Sequence, residues 1–145
     1  MLEDLQRRAF GGVVWAHVHA YRLTGGRIGR HVRGVDVLLL DHVGRRSRTR
    51  RTSPLLYVED GDDLVIVASK GGSRRHPAWW LNLRDSPETT VQVGGERRDV
   101  VARQARPEER ARLWPRLVEA WPDYDRYQAR PSREIPVIVL SRRLP

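Results

Sequence analysis

Two glycine turns constrain this chain more than any other feature. Asp60-Gly61 separates aliphatic blocks at 53–59 and 64–69, and Gly94-Gly95 separates blocks at 89–93 and 98–103, with room only for a tight reversal. Tight reversals join antiparallel neighbours, because parallel strands need a long crossover. Further blocks at 35–40 and 135–140 bring the expected count to six strands, all rich in β-branched and aliphatic residues. Meander hairpins of this kind close into a barrel or a sandwich. The fold class expected is α+β, mainly antiparallel β with flanking helices.

The helices follow from a different period. Leu2, Leu5, Ala9, Val13, Ala16 and Ala20 recur at helical spacing, and Phe10, Val14, Val18 and Tyr21 widen the stripe, so 2–22 reads as an amphipathic helix. Gly11 and Gly12 weaken it by about 1 kcal/mol each relative to alanine. It therefore needs a surface: the barrel, a partner copy, or an anionic membrane drawn to Arg7, Arg8, Arg22, Arg27, Arg30 and Arg33. A glycine-punctuated connector occupies 24–34. The organisation expected is one domain, with 1–34 as helix and connector and 35–145 as the barrel. Shorter helices are expected at 77–84, carrying Trp79 and Trp80, and at 107–120, opened by Pro107, Glu108 and Glu109. A last one at 122–129 places Tyr124 and Tyr127 on one face.

Composition removes several chemistries. The absence of cysteine excludes disulfides, thiolate zinc sites, iron–sulfur clusters and thiol redox work. His17, His19, His31, His42 and His76 lack metal-ligand spacing and read as surface or interface histidines, so no metal is expected. Gly25-Gly26 and Gly71-Gly72 match neither the dinucleotide fingerprint nor the phosphate loop. No Gly-x-Ser-x-Gly elbow is present. No apolar run is long enough to span a bilayer and no signal peptide opens the chain, which points to a cytoplasmic monomer or homodimer, with peripheral contact at the inner membrane face as the one membrane option.

The charge is +9, and Lys70 is the only lysine among 27 basic residues, the usage of a GC-rich, actinobacteria-like genome. A field of this sign favours an anionic partner. It concentrates in Val43-Gly44-Arg45-Arg46-Ser47-Arg48-Thr49-Arg50-Arg51-Thr52-Ser53-Pro54, which carries five arginines in seven residues between two apolar strands. A solvated basic loop is the plain reading. Against it, a short neutral turn would serve the strands better, while guanidinium forks beside backbone N–H groups suit phosphate and carboxylate oxygens.

Taken in order, Leu38-Leu39-Leu40, Val43-Gly44-Arg45-Arg46-Ser47, Arg51, Pro54-Leu55-Leu56-Tyr57, Ala68-Ser69-Lys70-Gly71-Gly72, His76-Pro77-Ala78-Trp79, Asn82-Leu83, Val91-Gln92-Val93-Gly94-Gly95, Glu108-Glu109-Arg110, Trp114-Pro115 and Arg133-Glu134-Ile135-Pro136 closely resemble the deazaflavin-dependent nitroreductase family. The resemblance implies a split β-barrel of the FMN-binding type, with coenzyme F420, an 8-hydroxy-5-deazaflavin, as hydride donor in place of FMN. It places Arg45, Arg46 and Arg51 around the cofactor's phosphate and oligoglutamate tail. Ser53 and Pro54 fall beside the cofactor, and Ser69, Lys70, Gly71 and Trp79 along its ring. It puts Trp121, Tyr124 and Tyr127 on the substrate side, and makes Ser69, Tyr124 and Tyr127 the candidates for moving a proton. Read alone, Ser69 is equally a turn residue, Trp79 a core tryptophan, and the three later aromatics helix packing.

Three departures stand out. Arg46 replaces a usual lysine, Arg48 a common glycine, and Trp121 a frequent tyrosine. The activity implied is hydride transfer to an electron-poor small molecule, a quinone or nitroaromatic, or else reduction of an enone or imine in a specialised pathway. A basic nucleic-acid module is the contrasting class, and no nucleic-acid partner is expected.

Overall fold

The computed structural model describes residues 2–129 and 133–144, with side chains from Phe10 onward, so the expected roles of Leu2, Leu5, Arg7, Arg8 and Ala9 lie outside the described side chains. In chain order the elements are α1 (Leu2–Thr24), β1 (His31–Val32), β2 (Val35–Val43), β3 (Arg50–Leu56), β4 (Val58–Asp60), β5 (Asp63–Val67), a 3-10 turn (Lys70–Gly72), α2 (Ala78–Asp85), β6 (Glu88–Val93), β7 (Glu96–Gln104), α3 (Pro107–Ala120), α4 (Asp123–Ala129) and β8 (Val137–Arg142). The strands form one curled antiparallel sheet in the order β1-β2-β6-β7-β8-β5-β4, with β3 paired to the other side of β2. This is a split β-barrel with four helices.

Both glycine turns close hairpins. Asp60 pairs with Asp63 across Gly61-Asp62, and Val93 pairs with Glu96 across Gly94-Gly95. The block at 53–59 is not one strand. It breaks at Tyr57, whose N–H donates to Asp36 O at 3.0 Å, so that β3 stays on β2 while β4 crosses to β5. The barrel turns its corner there. The connector also contributes a strand, since His31 and Val32 pair with Asp36 and Val35.

Leu38-Leu39-Leu40 shows no alternation because β2 is covered on both faces. Leu38 and Leu40 enter the barrel core with Ile66, Trp80, Ile138 and Leu140, while Val37 and Leu39 meet Val18 and Tyr21 of α1. On the far side of β5 and β8, Val65, Val137 and Val139 pack on Leu113 and Leu117 of α3 and Tyr124 of α4.

Helix α1 therefore does pack on the barrel, but not through the stripe its spacing suggests. Val14, Val18 and Tyr21 face β2 and β3, whereas Val13 and Ala16 are exposed. The choice is set by Tyr21, fully buried, whose hydroxyl accepts Gly94 N–H at 2.7 Å and donates to Val37 O at 2.9 Å. A phenol with both hydrogen-bonding needs met can be buried at no polar cost.

Candidate active site

The arginine loop is a tight hairpin end between Val43 and Arg50. Gly44 N–H donates to Thr49 O at 2.9 Å and Arg48 N–H to Gly44 O at 2.8 Å. A Cβ on Gly44 would meet Ser47 Oγ, so a side chain there would require the serine hydroxyl to move. Arg48 holds φ 60, left-handed backbone that glycine adopts without cost and that costs other residues about 1–2 kcal/mol. The arginine in place of glycine is thus a real strain at that position. Arg48 lies 4.0 Å from Asp85, while Arg45, Arg46, Arg50 and Arg51 are exposed and have no carboxylate partner among the described residues.

A buried polar relay holds this loop from beneath. Asn82 of α2 accepts Arg45 N–H on Oδ1 at 3.1 Å and donates from Nδ2 to His42 Nδ1 at 2.9 Å. His42 Nε2 then donates to Ser53 Oγ at 2.9 Å. His42 is only 5% exposed, and burial, assisted by the Arg51 charge, holds its pKa down at about 4 against a weak opposing pull from Asp41. It is a neutral core histidine, which corrects the expectation of a surface one. His17 is likewise engaged, through Nε2 on Gly29 O at 2.7 Å, and no metal-binding cluster occurs among the described residues.

The other expected residues converge on one cavity of about 400 Å³. Pro54, Ser69, Lys70, Gly71, Trp79, Trp121, Tyr124 and Tyr127 all line it. A contiguous apolar cavity of about 540 Å³, which Ser53 lines, shares the Pro54, Lys70, Trp79 and Trp121 walls and runs beneath α1 at Phe10, Val13, Val14 and His17. Trp79 both lines the cavity and closes the barrel core, so its two readings are not exclusive. The turn after β5 is unusual backbone: Lys70, Gly71 and Gly72 hold φ 46, 61 and 84 in succession. Two of the three are glycine, the residue this geometry favours.

Tyr124 is buried and edge-on to Tyr127, with centroids 6.2 Å apart. Burial first, and the Tyr127 neighbour second, raise its phenol pKa well above the ordinary value, so it stays protonated at neutral pH. Arg33, from the connector, lies over the Trp121 ring at 5.1 Å, a cation–π contact. A separate cleft of about 490 Å³, between Arg33, Asp36, Tyr57, Arg116 and Glu119, contains none of the expected residues.

Sequence reasoning missed the α1 wall, Phe10 above all, together with Leu55, Val67 and Pro77. It also missed the function of His42. Phe10 carried a signal, a large apolar residue on the wide side of a helix, but no signal of what it would face.

A split barrel with an aromatic cavity at its edge and a cluster of unpaired arginines on an adjoining hairpin defines a barrel of the flavin-cofactor-binding class. The family model described as F420H(2)-dependent quinone reductase matches residues 13–142, and the chain belongs to that family. It is 41% identical over 143 residues, 96% of each chain, to an F420H(2)-dependent quinone reductase of Mycobacterium tuberculosis. A solved F420-H2 dependent reductase is 38% identical, with a TM-score of 0.67 over 72% of this chain and 93% of that one. A second solved structure, described as a domain-swapped dimer, is 33% identical with a TM-score of 0.69, covering 97% of this chain and all of that one. The deazaflavin-dependent resemblance is thus met, under a family named for a quinone acceptor.

Proposed function

We propose that this chain is an F420H2-dependent oxidoreductase that delivers hydride from reduced deazaflavin to a quinone-type acceptor. One observation carries the reading: in a member of this family, the residues expected beside the cofactor ring, Pro54, Ser69, Lys70, Gly71 and Trp79, and those expected beside the acceptor, Trp121, Tyr124 and Tyr127, line one cavity. The residues suit the cofactor. A polyanionic tail fits the unpaired Arg45, Arg46 and Arg51, while an apolar-walled cavity with one ammonium fits a polar-edged ring.

When bound, the reduced deazaflavin supplies the hydride. The chain supplies position and proton management. Arg45, Arg46 and Arg51 hold the tail, with Ser53 and Pro54 at the start of the ring site. Because Ser53 Oγ accepts from His42, its own proton is left free and would be available to the cofactor. Lys70 would donate hydrogen bonds to the polar edge of the ring. Trp121 and Tyr127 cover the acceptor and exclude water, and Ser69, Tyr124 or Tyr127 passes the proton that accompanies reduction. On this reading 35–145 holds the cofactor and 1–34 walls the acceptor cavity.

Three extensions are open to test. A nitroaromatic of similar shape would occupy the same aromatic slot. Exposed Phe10, Val13, Trp15, Leu23 and Ile28 support contact of α1 with a lipid surface, although no helix among the described residues is long and apolar enough to cross a membrane. Liposome sedimentation of wild type and a Trp15→Ser/Leu23→Ser/Ile28→Ser variant tests the contact, and equal partitioning removes it. The domain-swapped relative supports a homodimer for this chain, which light scattering tests; a monomer mass removes it. For the activity, anaerobic mixing with reduced F420 and menadione should reoxidise the cofactor faster than a protein-free control. No acceleration across a panel of quinones rejects the proposal.

A further inference from the structure

Arg133 belongs to the Arg133-Glu134-Ile135-Pro136 motif ahead of β8, and its side chain does something the motif does not announce. A guanidinium has five N–H donors, and here each has an acceptor on one loop. Nε donates to Ser73 O at 3.0 Å, Nη1 to Ala68 O at 3.3 Å and His76 Nδ1 at 3.2 Å, and Nη2 to Ser69 O at 3.0 Å and Arg75 O at 3.2 Å. All five acceptors are neutral. The adjacent carboxylate, Glu134, turns to Arg110 instead, at 3.4 Å.

The acceptors bracket the Lys70–Gly72 turn, in which Lys70 holds a positive φ that is costly for a residue other than glycine. Arg133 closes that turn as a clasp, joining the carbonyls before it to those after it. The backbone of the same segment also reaches α4. Gln128 of α4, next to Tyr127, donates from Nε2 to Arg133 O at 3.0 Å and accepts Ile135 N–H on Oε1 at 2.8 Å. One residue thus ties the turn bearing Ser69, Lys70 and Gly71 to the helix bearing Tyr124 and Tyr127.

We propose that Arg133 is a positioning residue that sets the separation and alignment of the cofactor-ring turn and the acceptor helix. The inference rests on the deazaflavin reading above. It governs hydride transfer more than cofactor retention, because the tail is held by the separate loop at 45–51. Hydride transfer is sensitive to small displacements of the reacting atoms, whereas tail binding is not.

The test measures two quantities on wild type, Arg133→Ala, Arg133→Lys and Gln128→Leu: F420 affinity by fluorescence titration, and single-turnover oxidation of bound reduced F420 by saturating menadione. Rates are normalised to titrated cofactor sites, so partial unfolding does not enter. Arg133→Ala is expected to slow the single turnover by about tenfold to a hundredfold, with cofactor Kd within about threefold of wild type. Lysine has three donors for five acceptors, so Arg133→Lys is expected to remain at least about fivefold slow despite its charge. Gln128→Leu should show the same split. Where Arg133→Ala does not fold, the other two variants decide on the same criterion. Turnover within about threefold of wild type in all folded variants overturns the clasp alone, as does a Kd increase that accounts for the whole loss. A wild type that binds no F420 or shows no turnover overturns the functional reading and the clasp with it.

Discussion

Acidification should unlatch the arginine loop through His42. The side chain is buried and its pKa is held at about 4 by desolvation first and by Arg51 second. An unfolded histidine titrates near 6.5, so the folded value is the depressed one. Above about pH 6.5 both states are neutral and His42 contributes no pH dependence. Between about 6.5 and 4 the unfolded chain binds a proton that the folded chain refuses, so stability falls as pH falls, and the loss levels off once the folded state protonates as well. The full displacement corresponds to about 3 kcal/mol, of which about 2 kcal/mol is lost between about pH 7.5 and pH 5. The geometry gives the loss a local address. A proton on Nδ1 would face the Asn82 amide N–H, and Asn82 cannot reverse to accept it without taking Oδ1 away from Arg45 N–H. Urea unfolding followed by tryptophan fluorescence at the two pH values checks this, with His42→Gln as the control that keeps one acceptor and one donor but cannot titrate. Wild type should lose about 2 kcal/mol more than the variant. Equal losses in the two proteins refute the reasoning.

Three further outcomes are expected. Arg46→Glu/Arg51→Glu should weaken F420 binding by about a hundredfold or more, from two charge-assisted hydrogen bonds of about 1.5 kcal/mol each, and should flatten the salt dependence of binding in a fluorescence titration. Tyr21→Phe leaves Gly94 N–H buried without its acceptor and should cost about 1–3 kcal/mol in urea unfolding, with the fold retained. Trp121→Ala removes a wall shared by both cavities and should raise the menadione KM several-fold with cofactor Kd unchanged, as steady-state kinetics would show.

The sheet was legible where glycine marked it. Both hairpins stand at the expected turns, and α3 spans 107–120 as expected because Pro107 and two acidic residues mark its start. The break at Tyr57 was not legible, since it exists only because β3 and β4 serve different partners. The packed face of α1 was not legible for a related reason. Apolar residues lie on more than one side of that helix, and the deciding contact, Tyr21 on Gly94, joins residues far apart in sequence. The site shows the same division. Ser69, Lys70, Trp79, Trp121, Tyr124 and Tyr127 could be named from motif order and do share a cavity, whereas the roles of His42 and of Arg133, although Arg133 stands in a motif, could not. Neither role has a sequence signature, because the partner of one is an amide forty residues on, and those of the other are mostly backbone carbonyls, which every residue possesses.

A strongly basic sequence offers many cations, and the fold decides which of them can hold a ligand. Asp41 takes up Arg22 and Arg97, Asp60 takes up Arg112 and Arg116, Glu96 takes up Arg98 and Arg142, and Glu109 takes up Arg103. These four carboxylates neutralise seven of the arginines. Arg133 is consumed in a different way, by neutral acceptors inside the loop it closes. Among the arginines left without a carboxylate, Arg45, Arg46, Arg50 and Arg51 stand together on the β2–β3 hairpin, where Asn82 accepts the Arg45 backbone N–H. On the proposed function, a cluster of this kind would steer an anionic tail to one end of the site, and the aromatic cavity would select what lies at the other end. Retention and chemistry would then fall to different segments of the chain, which is why mutations in 45–51 and at Arg133 should separate in their effects on affinity and on rate.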